Sequence, residues 1–490
     1  LAANFTDCDL VTFWKRRSHL TDLVVDMIPP DFSYIQKILL PLFYTIQMSV
    51  TGTVLGIFFA LVLSPFGAAN LGFPAVIRRI LRIVIQILRS FPALILALTA
   101  TFLFGLGTFA GTFAITLYTF AIMTKLTYED ASAADVKAYQ ALRAMGVSKY
   151  VAYIHGILPE IIPGFLTNAL YLLETNVRHS SILGYVGAGG IGLLLNEKIS
   201  WLEYDKVGTI LLMLFLTVCV IEYFSRYLAA LIRKERTIKK EQARLLLLFL
   251  AALFLICTFT LSLPDFSRTS PQTLRNMFAG FLQPDWSFFF SAEKDGLGYL
   301  LLETVCIAFI GTVIGAIVSA PLAFLNTKRF VPAPVSFLFN LVIMVIRSVP
   351  FLVYGLIFIR VSGPGAFTGV LTLAVCSIGL LTKRFTEALD ALDPRPYHAL
   401  LAMGVRPLPA ICHSVLPQLK PVFTSIILYR FDVNIREASV LGLVGAGGIG
   451  APLIFSMNQY AWEKAGAIML GLILLVWFID MVSEKIGAGN

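Results

Sequence analysis

The chain has 490 residues, of which 58% are hydrophobic and only 14% charged, and its mean hydropathy is +0.82. Soluble globular chains carry about 25% charged residues, so this composition excludes a protein whose whole surface meets water and places the chain in lipid. The formal net charge of +9 sits on basic residues between apolar segments, a pattern of membrane orientation and not of a nucleic-acid surface.

In chain order, residues 1–36 hold Asp7, Asp9, Asp22, Asp26 and Asp31 and are expected outside the membrane. A first unit over 37–232 follows, with apolar spans near 38–63, 79–105, 108–126, 161–185 and 206–231. Residues 233–244 form a basic linker with Arg233, Lys234, Arg236, Lys239, Lys240 and Arg244. A second unit over 245–490 opens with an additional span near 245–263 and continues with spans near 297–324, 335–360, 366–384, 419–443 and 464–486. The first unit shows no counterpart of 245–263 and the chain starts at Leu1, so an upstream helix is expected to precede it. Arg78, Arg79, Lys328, Arg329 and the linker put their connections in the cytoplasm, and with them the long loops 127–160 and 385–418 and the C-terminus. Residues 1–36 and 264–296 then lie outside, and Trp14, Trp201 and Trp286 fall near the interfaces.

The two units are copies of one another. Asn176–Gly192 reads NVRHSSILGYVGAGGIG and Asn434–Gly450 reads NIREASVLGLVGAGGIG, an offset of 258. The same offset relates Arg89-Ser90-Phe91-Pro92 to Arg347-Ser348-Val349-Pro350, and Ala144-Met145-Gly146-Val147 to Ala402-Met403-Gly404-Val405. Gly52-Thr53-Val54 matches Gly311-Thr312-Val313 at 259, one residue having been gained or lost between. Matches in one order and one direction describe a parallel repeat.

No catalytic constellation appears. The six cysteines form no CxxC pair, and the five histidines have no second ligand at metal spacing, so no metal site is expected. No GxxxxGK[ST] segment is present, so the chain itself binds no nucleotide phosphates by that route.

The long loops carry the most specific pattern. Gln140–Pro159 reads QALRAMGVSKYVAYIHGILP and His398–Pro417 reads HALLAMGVRPLPAICHSVLP. Each is a short helix, a glycine that permits a tight turn, a second helical piece, and a proline suited to the first turn of the next helix. The pattern resembles the EAA loop of ABC-importer permeases, which in that family seats a coupling helix in a groove of a separate ATPase subunit. Ala141, Gly146, Leu158 and Pro159 match it, as do Ala399, Gly404, Leu416 and Pro417. The family's Glu is replaced by Gln140 and His398, its second Ala by Leu142 and Leu400, and its Ile by Gly156 and Ser414.

The string Asn-Val/Ile-Arg, Leu-Gly, Val-Gly-Ala-Gly-Gly-Ile-Gly, with the RSxP and GTVxG elements, resembles permeases of phosphonate importers, the PhnE type, over nearly the whole chain, twice. The fold this implies is all-α, two tandem type I ABC-importer (MetI-like) units of five to six spans each. It implies two ABC ATPase subunits that bind ATP and Mg, an external substrate-binding protein, and the bacterial inner membrane. One chain would supply both halves of the pore. Methionine-importer permeases share the plan, so another small solute stays open, as does an ion-coupled transporter drawing on Glu174 and Asp432.

Two sets of residues are candidates for the path itself. Gly187, Gly189, Gly190 and Gly192, with Gly445, Gly447, Gly448 and Gly450, follow a span and no strand, so they are read as an outer gate at the pseudo-twofold axis or as close packing. Glu174, Asn176 and Arg178, with Asp432, Asn434 and Arg436, lie within spans, where charge is costly. The acid and arginine are four apart and either brace the helix or help pass an oxyanion, which a guanidinium fork suits. Arg89 and Arg347, just before Pro92 and Pro350, are further candidates on a helix that proline would kink.

Overall fold

The computed structural model describes residue 6 and residues 16–233, 239–264, 271–291, 293 and 296–488. Most of the expected N-terminal segment up to residue 15, including Trp14, Asp7 and Asp9, and linker residues Lys234 and Arg236 lie outside them. Every described element is helical. In order these are α1 (Arg17–Asp26), α2 (Ile35–Gly67), α3 (Ala75–Ser90), α4 (Ala93–Phe104), α5 (Thr108–Ala133), α6 (Lys137–Ala144), α7 (Lys149–Gly156), α8 (Leu158–Leu183), α9 (Ile191–Ser200), α10 (Tyr204–Ile232) and α11 (Lys240–Phe259). Then come α12 (Pro271–Leu282), α13 (Trp286–Phe289), α14 (Leu297–Asn326), α15 (Ala333–Ser348), α16 (Phe351–Ser362), α17 (Ala366–Ala391), α18 (Arg395–Ala402), α19 (Pro407–Ala410), α20 (Leu416–Leu441), α21 (Gly450–Asn458) and α22 (Trp462–Ala488). All eleven expected spans fall on a helix or a bent helix pair that is long and apolar enough to cross a bilayer.

Among the described residues three helix pairs are bent at a break, one of them α7 with α8 at 69°, and the other two are copies of each other. Helices α3 and α4 meet at 96°, and α15 and α16 at 87°. The break follows from Pro92 and Pro350, whose rings push Phe91 (ψ 129°) and Val349 (ψ 125°) out of the helical region. The kink anticipated from these prolines is thus a corner, and Arg89 and Arg347 sit in the last turn before it.

Each unit is centred on one close helix pair. On α2, Gly52 and Gly56 face α5, where a Cβ would come within 2.7 Å of Ile115 and 2.6 Å of Thr119. On α14, Gly311 repeats this against Leu373 at 2.7 Å, and Gly315 against Ser377. In lipid there is little hydrophobic drive between helices, so small residues four apart, which let backbones approach, hold such pairs. This is the structural content of the GTVxG element.

The compact units are residues 25–275 and residues 1–24 with 276–490. By this division α11, expected to head the second unit, falls with the helices of the first. There Gln47 of α2, fully buried, donates through Nε2 to the Cys257 carbonyl (3.0 Å) and to Thr260 Oγ1 (2.8 Å). Chain order assigned α11 to the half that follows it, but a buried amide needs a partner and finds it here.

Candidate functional site

Each of the paired long loops forms a short helix, a glycine turn and a second helical piece that pack against their own unit. On α6, Gln140, Ala141, Ala144 and Met145 are exposed, while Tyr139 is buried and Leu142 half-buried. Tyr139 donates through its hydroxyl to the Leu71 carbonyl (2.6 Å) and packs with Tyr128, Tyr153 and Ile157, which anchors the loop to the ends of α2 and α5. On α18, His398, Ala399, Ala402 and Met403 are exposed at the same positions, over Tyr397, Phe385 and Leu389. Met145 and Met403 are each 71% exposed and form apolar tips of these helices. Gly146 (φ +87°) and Gly404 (φ +81°) close the helices in the left-handed region that side chains rarely adopt. Pro159 and Pro417 occupy the first turns of α8 and α20, next to Leu158 and Leu416.

The departures at Gly156 and Ser414 have distinct geometries. A Cβ on Gly156 would lie 2.9 Å from the Tyr139 backbone nitrogen, so α6 and α7 touch through glycine. Where Ser414 stands instead, the helix widens into a π turn over Ile411–Val415 that gives the side chain room, and its hydroxyl donates to the Ala410 carbonyl (2.6 Å).

Within each unit the polar residues of the long helix are engaged. Asn176 Nδ2 donates to Thr53 Oγ1 and Thr119 Oγ1, both at 2.8 Å, joining α8 to α2 and α5. Asn434 Nδ2 donates to Thr312 Oγ1 (2.6 Å) and Ser377 Oγ (2.9 Å), joining α20 to α14 and α17. Both asparagines are fully buried. Arg178 is ion-paired with Glu174, and Arg436 with Asp432, each four residues back on its own helix. The arrangement thus contains the bracing pair, with the arginine side chains only 14% and 16% exposed. Arg89 lies within 3.5 Å of Gln86 Oε1 on α3, while the Arg347 side chain packs over Gly379 of α17.

The second unit adds charge at positions the sequence reading passed over. Arg430 reaches Glu437 with both terminal nitrogens (2.8 and 3.4 Å) and donates through Nε to Ser377 Oγ (3.2 Å). The matching residues of the first unit, at the 258 offset, are Leu172 and His179. His179 lies edge-on to the Tyr118 ring at 5.2 Å, and Leu172 packs among Met123, Phe165 and Ala169. Comparing the two copies position by position would have exposed this exchange.

The glycine strings form sharp loops between α8 and α9 and between α20 and α21. Gly187, Gly189 and Gly190 have φ of +82°, +77° and +77°, and Gly445, Gly447 and Gly448 have +80°, +78° and +76°. Gly192 and Gly450 instead lie against the carbonyls of Ser181 and Ser439, where a side chain would not fit. The loops are held by Ile191 N–H donating to Thr45 Oγ1 (2.9 Å), by Ile449 N–H donating to Thr304 Oγ1 (3.1 Å), and by Gly448 N–H donating to Glu303 Oε2 (3.1 Å). Gly107 N–H donates to Gly187 O (3.0 Å) and Gly365 N–H to Gly445 O (2.9 Å), so the turn after the broken span carries each glycine loop. Gly107 and Gly365 were not singled out from the sequence, although they share the 258 offset.

The family model for a binding-protein-dependent transport system inner membrane component matches residues 52–236 and again 311–486. The chain is 27% identical over 473 residues, 95% of its length and 88% of the relative's, to the phosphate-import permease protein PhnE of Mycolicibacterium smegmatis. It is 36% identical over 184 residues, 37% of this chain and 67% of the other, to the phosphite transport system permease protein PtxC of Stutzerimonas stutzeri. Among solved structures, an inward-facing MetNI methionine ABC transporter chain is 22% identical, with a TM-score of 0.38 over 41% of this chain and 99% of that one. Two matched copies, eight helices among the described residues that are each long and apolar enough to cross a bilayer, and the paired exposed loops lead to one assignment: this chain is a multi-pass membrane protein of the binding-protein-dependent transport system inner membrane component family, carrying two copies of the family's unit in tandem.

Proposed function

We propose that the chain is the permease subunit of an ATP-driven importer for a phosphorus oxyanion: phosphate, phosphite or a phosphonate. The observation that carries the reading is the repeated exposed helix ending in a left-handed glycine, at Gln140–Gly146 and His398–Gly404. Two such helices suit two ATPase subunits. Their exposed alanines and methionines favour docking by shape and apolar contact, since no acid stands at Gln140 or His398. ATP and Mg belong to those partners, and this chain takes no catalytic part. An external binding protein delivers the substrate on the side of residues 1–36, while the coupling loops and the C-terminus face the cytoplasm. The substrate class is supported by the named specificities of the phosphate and phosphite permeases it resembles.

In this reading Arg178 and Arg436 are braces, because each is neutralised by an acid one turn away. Arg89 and Arg347, at the corners of the broken spans, are the stronger candidates for meeting the anion. The glycine loops act as the outer gate, left-handed hinges carried on the turns at Gly107 and Gly365. Uptake by cells expressing the chain with its ATPase and binding protein tests the substrate. Labelled phosphate, phosphite or methylphosphonate should accumulate and methionine should not. Accumulation of methionine alone would end the oxyanion reading.

A further inference from the structure

Helix α3 differs from its copy α15 in one respect that the transport reading does not use. Both present an apolar stripe away from the protein. On α3 it is Val76, Ile80, Ile83 and Ile87, with Val76 68% and Ile80 57% exposed. On α15 it is Val335, Leu338, Leu341 and Val345. These spacings of three and four residues place each stripe on one exposed helical face. The first turns differ. Arg78, Arg79 and Arg82 of α3 correspond to Ser336, Phe337 and Asn340 of α15.

The three arginines are disposed in two ways. Arg82 is tied down, donating through Nε and Nη2 to the Gly67 carbonyl (3.1 and 2.9 Å) and lying over the Tyr128 ring at 5.1 Å. Arg78 donates weakly to the Ala69 carbonyl at 3.4 Å. Arg79 is exposed, on the flank between the tied arginines and the apolar stripe. Among the described residues, no carboxylate pairs with any of the three. On α15 the matching polar site is satisfied internally, Ser336 Oγ donating to the Asn326 carbonyl (2.6 Å).

A helix of 16 residues is about 24 Å long. The arginine end of α3 stands beside the coupling loop, where Tyr139 bonds the Leu71 carbonyl and Lys149 reaches the Gly72 carbonyl. A phosphodiester seated at Arg79 and Arg78 would place its acyl chains along Val76, Ile80, Ile83 and Ile87. Fixed positive charge beside an apolar stripe, at the end of a membrane helix, matches an anionic headgroup with its tails.

We infer that the N-terminal turn of α3 is a binding site for an anionic phospholipid, present in the first unit and absent from the second. Phosphate alone would lack the tails, and a zwitterionic lipid would lack the net charge. The inference rests on the chain's place in the membrane and not on what it transports.

The test is lipid binding by the purified full chain, followed by native mass spectrometry with phosphatidylglycerol or phosphatidylcholine. One phosphatidylglycerol should be retained in preference to phosphatidylcholine. Arg79→Gln alters an exposed side chain and should weaken that affinity roughly fivefold, about the contribution of one basic residue near a charged surface, while Arg79→Lys stays within about twofold. Arg78→Gln with Arg79→Gln should weaken it roughly twentyfold. Equal affinity for the two lipids, or unchanged affinity in Arg79→Gln, overturns the site. A second phosphatidylglycerol held as tightly overturns its restriction to one unit.

Discussion

Ser49 Oγ and Ser180 Oγ lie 2.7 Å apart at the buried crossing of α2 and α8, and their copies at the repeat offsets, Ala308 and Ala438, are both apolar and both buried. The pair has been exchanged as a pair. Each hydroxyl also has a backbone acceptor, Ser49 Oγ at the Thr45 carbonyl (2.7 Å) and Ser180 Oγ at the Val177 carbonyl (3.0 Å), so removing one leaves the other satisfied. Ser49→Ala and Ser180→Ala should each lower stability by no more than about 1 kcal/mol, and the double variant by less than the sum, because the contact between the hydroxyls is lost only once. Thermal unfolding in nanodiscs reads this, and strictly additive losses would show that the two hydroxyls act separately.

The same logic applies to charge. Arg430 and Glu437 form a buried bidentate pair where the first unit has Leu172 and His179. Glu437→Ala should cost about 3–5 kcal/mol by stranding a guanidinium. Arg430→Leu combined with Glu437→His should cost far less, since it installs the side chains the first unit already accommodates. Stability of the two variants, compared in one lipid, decides it, and a double variant as damaged as Glu437→Ala would refute the interchange.

The close pair at α2 and α5 should tolerate no bulk. Gly52→Leu and Gly56→Leu place side chains where a single Cβ already falls within 2.7 and 2.6 Å of α5. Overpacking costs about 1–3 kcal/mol, and two such sites on one face should abolish folded protein. Yield of monodisperse protein after solubilisation checks this, with Gly164→Leu as a control at an open site, its nearest neighbour being 4.0 Å from a Cβ.

Ala141→Trp with Ala399→Trp should prevent co-purification of an ATPase subunit while leaving the unfolding temperature near that of the wild type. Both alanines are exposed on regular helix, so bulk there obstructs a partner and not the fold. Substituting Gly146 or Gly404 would be a poorer probe, because positive φ strains any side chain placed there. Undiminished co-purification would remove these helices from the ATPase contact.

Asp135 lies two residues before α6 begins at Lys137. The backbone N–H of Lys137, 3.0 Å from Oδ1, together with the Lys137 side chain, holds the carboxyl below its ordinary value of 3.8. A lowered value means the contact stabilises above the ordinary carboxylate range and is lost as pH falls through it. Amide exchange in α6 should therefore show constant protection between about pH 6 and 8, with fraying only below about pH 4. Loss of protection near neutrality would point to another group. Asp135→Asn should preserve the turn and Asp135→Ala should not.

The sequence made most of the architecture legible because lipid simplifies it: long apolar runs, basic connections and a fixed repeat offset leave little choice. Pro92 and Pro350 announced a distortion, but not that the chain would turn a corner of 96° and 87° there. The turns that end the short loop helices α6 and α18 were readable at Gly146 and Gly404, both of which adopt positive φ. Arg430 and Glu437, seven residues and two turns apart, share a helical face by spacing, and were missed because only the exchange against Leu172 and His179 of the other copy marks them as a pair. The destination of α11 was hidden because its partner Gln47 lies 210 residues away from Cys257.

That last contact bears on how the gene could be divided. A cut in the basic run after Arg233 would part α11 from the carboxamide it satisfies and leave Gln47 facing lipid. Severing after Pro264 instead keeps both on one polypeptide. Co-expressed fragments broken at the later point should reassemble, yet no single cut frees a whole unit, because residues 1–24 belong with 276–490.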